Sequence, residues 1–434
     1  MPTASRILVV QVAGLGFDTA AKLPQEELQF APVKTVFPAL TCPFQASFRT
    51  AAPPATHGMI ANGLYGRDLR KVMFWEQSSG LVQGERIWDQ YRQMDKRVGM
   101  LFWQQSLGET VDVVLSPAPI HLHSGGMVQD CYCQPAWLYG KLKKQIGRPF
   151  KLRHYWGPLA SAKAGDWIAD ATCRVLTDER LALDLCFTYL PTLDYAFQRH
   201  GPDAVKSQAA SACLTSQLAR LLQAAENAGW DLLVVGDYAI GPAADGGAIF
   251  PNRLLAKEGL LETRNVKGKR YPDLHASRAF AMVDHEIAHV YASDVDAATR
   301  AETLFAAVPG VADVLTTARH DEFGVAHANT GELILIGEPG CWFAYPWWTD
   351  RRDAPDYATH IDIHNKPGFD PCELSWSWWP PGVSLDTKRV KGTHGRTGPG
   401  RDVSWASTMP MPFDEQPTTV TDVAACLRRI LEGA

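Results

Sequence analysis

This chain of 434 residues has no CxxC pair, no long apolar run and no surplus of one charge. Its nine cysteines, at 42, 131, 133, 173, 186, 213, 341, 372 and 426, are odd in number and scattered. That argues against a disulfide framework and a thiolate zinc site, reads Cys131 and Cys133 as free thiols, and predicts a reduced, cytoplasmic protein. No apolar stretch approaches the roughly 20 residues that span a bilayer, so no membrane span is expected. The run "ILVVQVAGLG" has only "MPTASR" before it, a weak basic lead, and Gly14 to Asp18 reads as the loop after a strand, so the run is a first strand rather than a signal core. Lysine and arginine total 42 against 47 acidic residues, intermixed, for a net charge of −5. Without a clustered basic face, a nucleic-acid polymer is not an expected partner. Internal repeats and low-complexity tracts are absent as well.

What remains is an ordinary globular composition, 46% hydrophobic and 21% charged, with ample core for a chain of this length. Strand-like runs alternate with helical stretches. "RILVVQVAG" is apolar throughout, as a strand buried on both faces must be. "RVGMLFWQQS", "ALDLCFTYLPTLDY" and "WDLLVVGDYAIG" each follow a helical stretch, the last of them the long "DAVKSQAASACLTSQLARLLQAAENAG". The alternation predicts a doubly wound α/β sheet, in which ligands sit beyond the carboxyl ends of the strands. Ala13, Asp194 and Asp237 stand at such ends. In the second half, "RAFAMVDHEIAHVYASD" and "GELILIGEPGCWF" bracket a helical "AATRAETLFAAVPGV", and an aromatic, proline-rich stretch from 345 to 383 reads as loops folded over the sheet end.

One segment, "PALTCPFQASFRTAAPPATHGMIANGLY" at 38–65, carries little charge but sets Thr41 before Cys-Pro, then His57-Gly58 and Asn62. On residue chemistry alone Thr41 caps or opens a helix. A hydroxyl there also faces the anion-favouring end of the helix dipole.

The segment resembles the nucleophile segment of the alkaline phosphatase superfamily, nearest its nucleotide pyrophosphatase/phosphodiesterase branch. The likeness continues in order through "RIWDQYRQMDKRVGMLFWQQS", "GPD" at 201–203, "GVAHANTGELILIGEPGCWF" (read as a late hairpin) and "GTHG" at 392–395, and phosphonoacetate hydrolases are similar too. The resemblance implies an α/β, alkaline-phosphatase-like core with a mostly parallel central sheet and helices on both faces, plus a smaller α/β cap. We assign 1–255 and 380–434 to the core and 256–379 to the cap. It further implies a small phosphorylated or phosphodiester substrate, a pair of zinc ions, Thr41 as metal-activated nucleophile and Asn62 as holder of a phosphoryl oxygen.

The implied ligand set is broken in this chain. The family's Asp-Gly after the first strand is Ala13-Gly14, and its Asp-His after a later strand is Asp237-Tyr238. In "LDYAFQRHGPD" the expected aspartate is Asp194, but the histidine four residues on is Gln198, with His200 two further. Asp194, His200, Asp237 and His394 are therefore the metal-ligand candidates. Zinc is the expected divalent metal, at most one tightly bound per chain or none, with the Tyr238 hydroxyl donating to the phosphoryl oxygen that the missing ion would have held. Asp362 and His364, pointing the same way on an extended chain, rank first as substitutes, and Asp284 with His285 second; His121 and His123 share the extended geometry. Lys366 and Arg396 are candidate phosphate contacts. The tryptophans at 342–348 and 376–379 either line a pocket or pack the cap. The leading expectation is phosphodiester or pyrophosphate hydrolysis with a reduced metal site. A non-hydrolytic enzyme (transfer, elimination or isomerisation) on a phosphorylated small molecule, which would not turn over a nitrophenyl diester, is the alternative. A phosphoryl-ligand binder, indifferent to Thr41→Ala, is the second alternative.

Overall fold

The structure, a computed structural model, describes residues 6–24, 28–124, 126–362, 365–379, 381–413 and 415–433. The strands of the main sheet are β1 (Arg6–Val12), β2 (Ala31–Val33), β3 (Val98–Leu101), β4 (Val113–Pro117), β5 (Cys131–Gln134), β6 (Leu185–Leu190) and β7 (Trp230–Gly236). A second sheet holds β8 (Ala279–Asp284), β9 (Ile287–Ala292), β10 (Val311–Thr316) and β11 (Leu333–Gly337), and β12 (Val403–Ser407) returns to the main sheet. The main sheet runs β2-β12-β7-β1-β6-β3-β4-β5. Its centre, β7-β1-β6-β3-β4, is parallel, and antiparallel strands flank it. The apolar first strand lies in the middle, every residue but Arg6 buried, which is why its sequence shows no alternation.

Helices pack around this sheet. Those that matter here are α1 (Thr41–Thr50), α2 (Lys163–Leu176), α3 (Asp194–His200), α4 (Val205–Ala228), α5 (Val295–Ala306) and α6 (Val420–Glu432). Helices α2 and α4 pack on each other, as do α1 and α6, and all four feed the main core. The second sheet, β8-β9-β11-β10, is antiparallel throughout and has its own buried cluster with α5. Among the described residues no helix is long and apolar enough to cross a membrane.

The "DHEIAH" segment is the tight connection between β8 and β9, with His285 at φ 59°. The expected late hairpin does not form: β11 pairs with β9 and β10, while Trp342–Phe343 pairs with Ala248–Ile249. Trp342, Trp347 and Trp348 are buried core residues that pack, while Trp376 and Trp379 are exposed.

Candidate active site

Three adjacent parallel strands, β7, β1 and β6, end side by side and deliver Asp237, Ala13 and Asp194 to one edge of the sheet. Gly14, at φ 74°, turns the chain so that its N–H donates to Asp237 Oδ1 at 3.0 Å, a conformation an L side chain would resist. The N–H of Tyr238 donates to the same oxygen at 2.8 Å, and Gln11 Nε2 donates to Oδ2 at 2.7 Å. Gln11, in turn, accepts from Gln45 at 2.6 Å, and Gln45 from the Gln104 N–H at 2.7 Å. Asp237 is thus held behind the pocket by neutral donors. Gln11 escapes motif reasoning, though a lone polar residue in a strand buried on both faces is its signal.

Thr41 opens α1, whose ten residues are all buried. Proline at position 43 is tolerated because the first helical turn needs no intrahelical N–H partner. The helix is fixed at its far end by Arg49, fully buried, which donates to the carbonyls of Gln104 (2.5 Å), Gln105 (2.8 Å) and Gln45 (3.2 Å) and pairs with Glu109 at 3.3 Å. At its start, the Cys42 N–H donates to Asn62 Oδ1 at 3.0 Å. Thr41, Tyr189 and Tyr238 line the same pocket, and the threonine side chain slightly offsets the burial that raises both phenols.

The tip of the β8–β9 hairpin closes the other side. Glu286 anchors it: its N–H donates to the His394 carbonyl at 2.9 Å, and its carboxylate accepts from Arg401 at 2.6 Å and from the Arg396 N–H at 3.1 Å. Asp284 accepts from the backbone N–H (2.8 Å) and amide (3.2 Å) of Asn62, and from His285 Nδ1 at 2.8 Å. His285 is therefore tethered with Nδ1 protonated and Nε2 as an acceptor. Its ring lies 4.0 Å from that of His394, which stacks face to face on Tyr238 at 3.7 Å. Burial pushes the Asp284 carboxyl up to about 7, against the pull of the Asn62 hydrogen bonds, and pushes His285 down to about 3. His394 is held well below its usual value, by burial first and then by His285.

Thr41, Asn62, Asp194, Gln198, Tyr238, His285 and His394 all line one pocket. Aromatic walls complete it: Trp75, Tyr155, Trp156, Tyr189, Tyr195 and Phe369. They come from scattered segments with no shared motif, and none is singled out by the sequence. Three polar atoms of its lining are buried without partners among the described residues: Trp75 Nε1, Gln198 Oε1 and His285 Nε2. Trp75, like His285, has a positive φ, 58°, a strained backbone that aims its ring inward.

Other sequence candidates lie elsewhere. His200 is exposed at the end of α3; six residues after Asp194 a helix has turned its side chain away, whereas Gln198, one turn on, shares the aspartate's face. Asp362 binds the backbone and side-chain amides of Asn365, at 3.0 and 2.7 Å, and is not among the lining residues; His364 lies outside the described residues. Of the two acid–histidine pairs, His285 lines the pocket and Asp362 does not. Lys366 is buried in an ion pair with Glu373, and Arg396 is absent from the lining, so neither is placed to clamp a phosphate. His121 and His123 are exposed on a separate hairpin. The Tyr238 hydroxyl, expected to reach a phosphoryl oxygen, donates instead to Asp194 Oδ1 at 3.0 Å.

A two-zinc centre does not fit these residues. Ala13 has no donor atom, Tyr238 keeps its proton because burial raises its phenol well above the usual value, and Asp237 already accepts three hydrogen bonds, two of them on Oδ1. Among the described residues, no three or more His, Cys, Asp or Glu side chains gather in a way that would hold a metal ion.

Comparison with known proteins agrees with the fold. The family model described as type I phosphodiesterase / nucleotide pyrophosphatase matches residues 18–370, and the chain belongs to that family. Phosphonoacetate hydrolase from Sinorhizobium meliloti 1021, solved with phosphonoformate, superposes with a TM-score of 0.65 at 16% identity, over 99% of this chain and 97% of that one. Murine ectonucleotide pyrophosphatase/phosphodiesterase 5 gives 0.59 at 14% identity, over 98% and 95%. An inactive threonine-to-alanine variant of the murine protein, solved with AMP, matches equally well. No curated protein sequence matches the chain.

Proposed function

We propose that this chain hydrolyses a small phosphodiester, with Thr41 as nucleophile and the Asp284–His285 pair as its proton acceptor. The observation that carries this reading is that Thr41 and His285 line one pocket, His285 Nε2 being buried without a partner among the described residues and the imidazole tautomer set by a carboxylate behind it. Thr41 Oγ1 attacks phosphorus and its proton passes to His285 Nε2. The departing alkoxide leaves with that proton. Water then attacks the phosphothreonine, again giving its proton to His285, and Thr41 Oγ1 takes that proton as the P–Oγ1 bond breaks, regenerating both groups. Tyr189 and Tyr238 orient the Thr41 hydroxyl, and Trp75 Nε1 and the second N–H of Asn62 Nδ2 are donors for non-bridging oxygens. No lysine or arginine is among the described residues that line the pocket, which suits the single charge of a diester better than the double charge of a monoester. The threonine dependence of the murine relative is in keeping with this assignment.

The non-hydrolytic reading draws on one observation, the hydrogen bonds that occupy the metal-ligand positions. Turnover of bis(p-nitrophenyl) phosphate separates the two: hydrolysis predicts nitrophenolate release, the alternative none. The pair accepts a proton only when it is unprotonated, and burial sets that proton's loss from Asp284 at about 7. The expected kcat/KM therefore rises with pH through about 7 as one group ionises and falls below it. Asp284→Asn should remove that inflection; a profile with the same inflection in the variant would assign it to another group.

A further inference from the structure

One corner of the pocket takes no part in that chemistry. Asp194 and Gln198 lie one turn apart on α3, and Gln198 Nε2 donates to Asp194 Oδ1 at 2.8 Å beside the Tyr238 hydroxyl. Gln198 lines the pocket at 1% exposure, and with one amide N–H committed its Oε1 has no partner among the described residues. His394 Nδ1 faces the Ala39 carbonyl at 3.0 Å and so carries the proton, leaving Nε2 as an acceptor. Its ring stacks on that of Tyr238, whose hydroxyl donates to Asp194. Asp194, Gln198 and His394 thus give one pocket lining a carboxylate, an amide oxygen and an imidazole lone pair, with no cation among the described lining residues. Arg199, on the same helix, spends its guanidinium on the carbonyls of Leu374, Ala160 and Gly157, each at 2.8 Å. A carboxylate in a pocket lining without a cation is costly.

We propose that Asp194, Gln198 and His394 bind a primary ammonium group of the substrate, making that substrate an aminoalkyl phosphodiester. An ammonium brings three donors and one positive charge, matching three acceptors of which one is negative. The indole of Trp156 and the ring of Tyr195 flank the same pocket and favour a cation over a neutral group. A trimethylammonium group would leave Gln198 Oε1 unsatisfied, since it has no N–H to give. The phosphodiester half of the statement rests on the function proposed above; the ammonium half stands on these side chains alone.

Three nitrophenyl diesters test it: the aminoethyl, ethyl and trimethylammonioethyl esters of p-nitrophenyl phosphate. The aminoethyl ester should have a kcat/KM about a hundredfold above the ethyl ester, because a buried acceptor set rejects ligands that leave it unpaired. Gln198→Leu, similar in volume, and Asp194→Asn should each cut that preference to below about tenfold. Direct titration of Thr41→Ala with the same esters reads binding without turnover. Equal use of the aminoethyl and ethyl esters overturns the ammonium site while leaving diester hydrolysis standing. Selective binding of the aminoethyl ester without turnover in the unmodified protein supports the site and removes the hydrolytic reading. Preference for the trimethylammonio ester, or zinc binding that Asp194→Asn abolishes and that suppresses the aminoethyl preference, overturns the proposal.

Discussion

Thr41→Ala is expected to lower turnover of bis(p-nitrophenyl) phosphate by about ten-thousandfold and to leave folding intact. The size of the effect follows from the role: removing a covalent nucleophile deletes a step instead of weakening it, and groups that act as a unit cannot replace one another. Folding should survive because the Thr41 side chain contributes no helix cap: α1 is capped by Leu40 without a side-chain bond, and the Cys42 N–H is held by Asn62. The measurements are steady-state kinetics and a thermal melt on the same preparation. A variant that keeps more than about a tenth of the rate removes Thr41 from the nucleophile's place, since that is worth only about 1.4 kcal/mol of barrier.

The second large effect is on stability. Arg49→Met should destabilise the protein by about 3 kcal/mol, read as a fall in the denaturant midpoint at constant slope. Arg49 lies at 0% exposure and answers three carbonyls that have no water to turn to. Glu109 keeps a second partner, Arg86 at 3.0 Å, which holds the loss near the lower end for a broken buried pair. Those carbonyls belong to Gln45, Gln104 and Gln105, and the Gln45 side chain, which accepts from the Gln104 N–H, leads through Gln11 to Asp237. Activity should therefore fall along with stability. A change below about 1 kcal/mol would mean that the cluster is solvated and does not brace α1.

How far the sequence reveals this site depends on whether a residue's partners are local. Thr41 and Asn62 share one segment with a distinctive order, and Asp194 and Asp237 end apolar runs, so their delivery to one sheet edge follows from the alternation of strands and helices. The phase of α3 decides between Gln198 and His200, and the sequence "LDYAFQRHGPD" does not announce that its turn is helical from Asp194 onward. The pairs Asp284–His285 and Asp362–His364 look alike on paper. What brings His285 to the site is Glu286 beside it, whose contacts with His394, Arg396 and Arg401 tie the hairpin tip to a segment more than a hundred residues away in the chain. The aromatic walls are less legible still. Trp75, Trp156 and Phe369 pack edge to face on one another from three distant segments, while the conspicuous tryptophans at 347 and 348 fill a core. Gln11 and Gln45 are visible as polar residues in apolar surroundings, but only the fold shows that they satisfy the aspartate a metal would otherwise engage.

The central claim is a covalent bond at Thr41, and its most direct test is rapid-quench mass spectrometry during turnover of bis(p-nitrophenyl) phosphate. Quenching within the first turnover should show one nitrophenylphosphoryl group per chain, on the peptide that contains Thr41, and none in Thr41→Ala. Continued nitrophenolate release with the group on another residue, or with Thr41 unmodified at every quench time, would contradict the account.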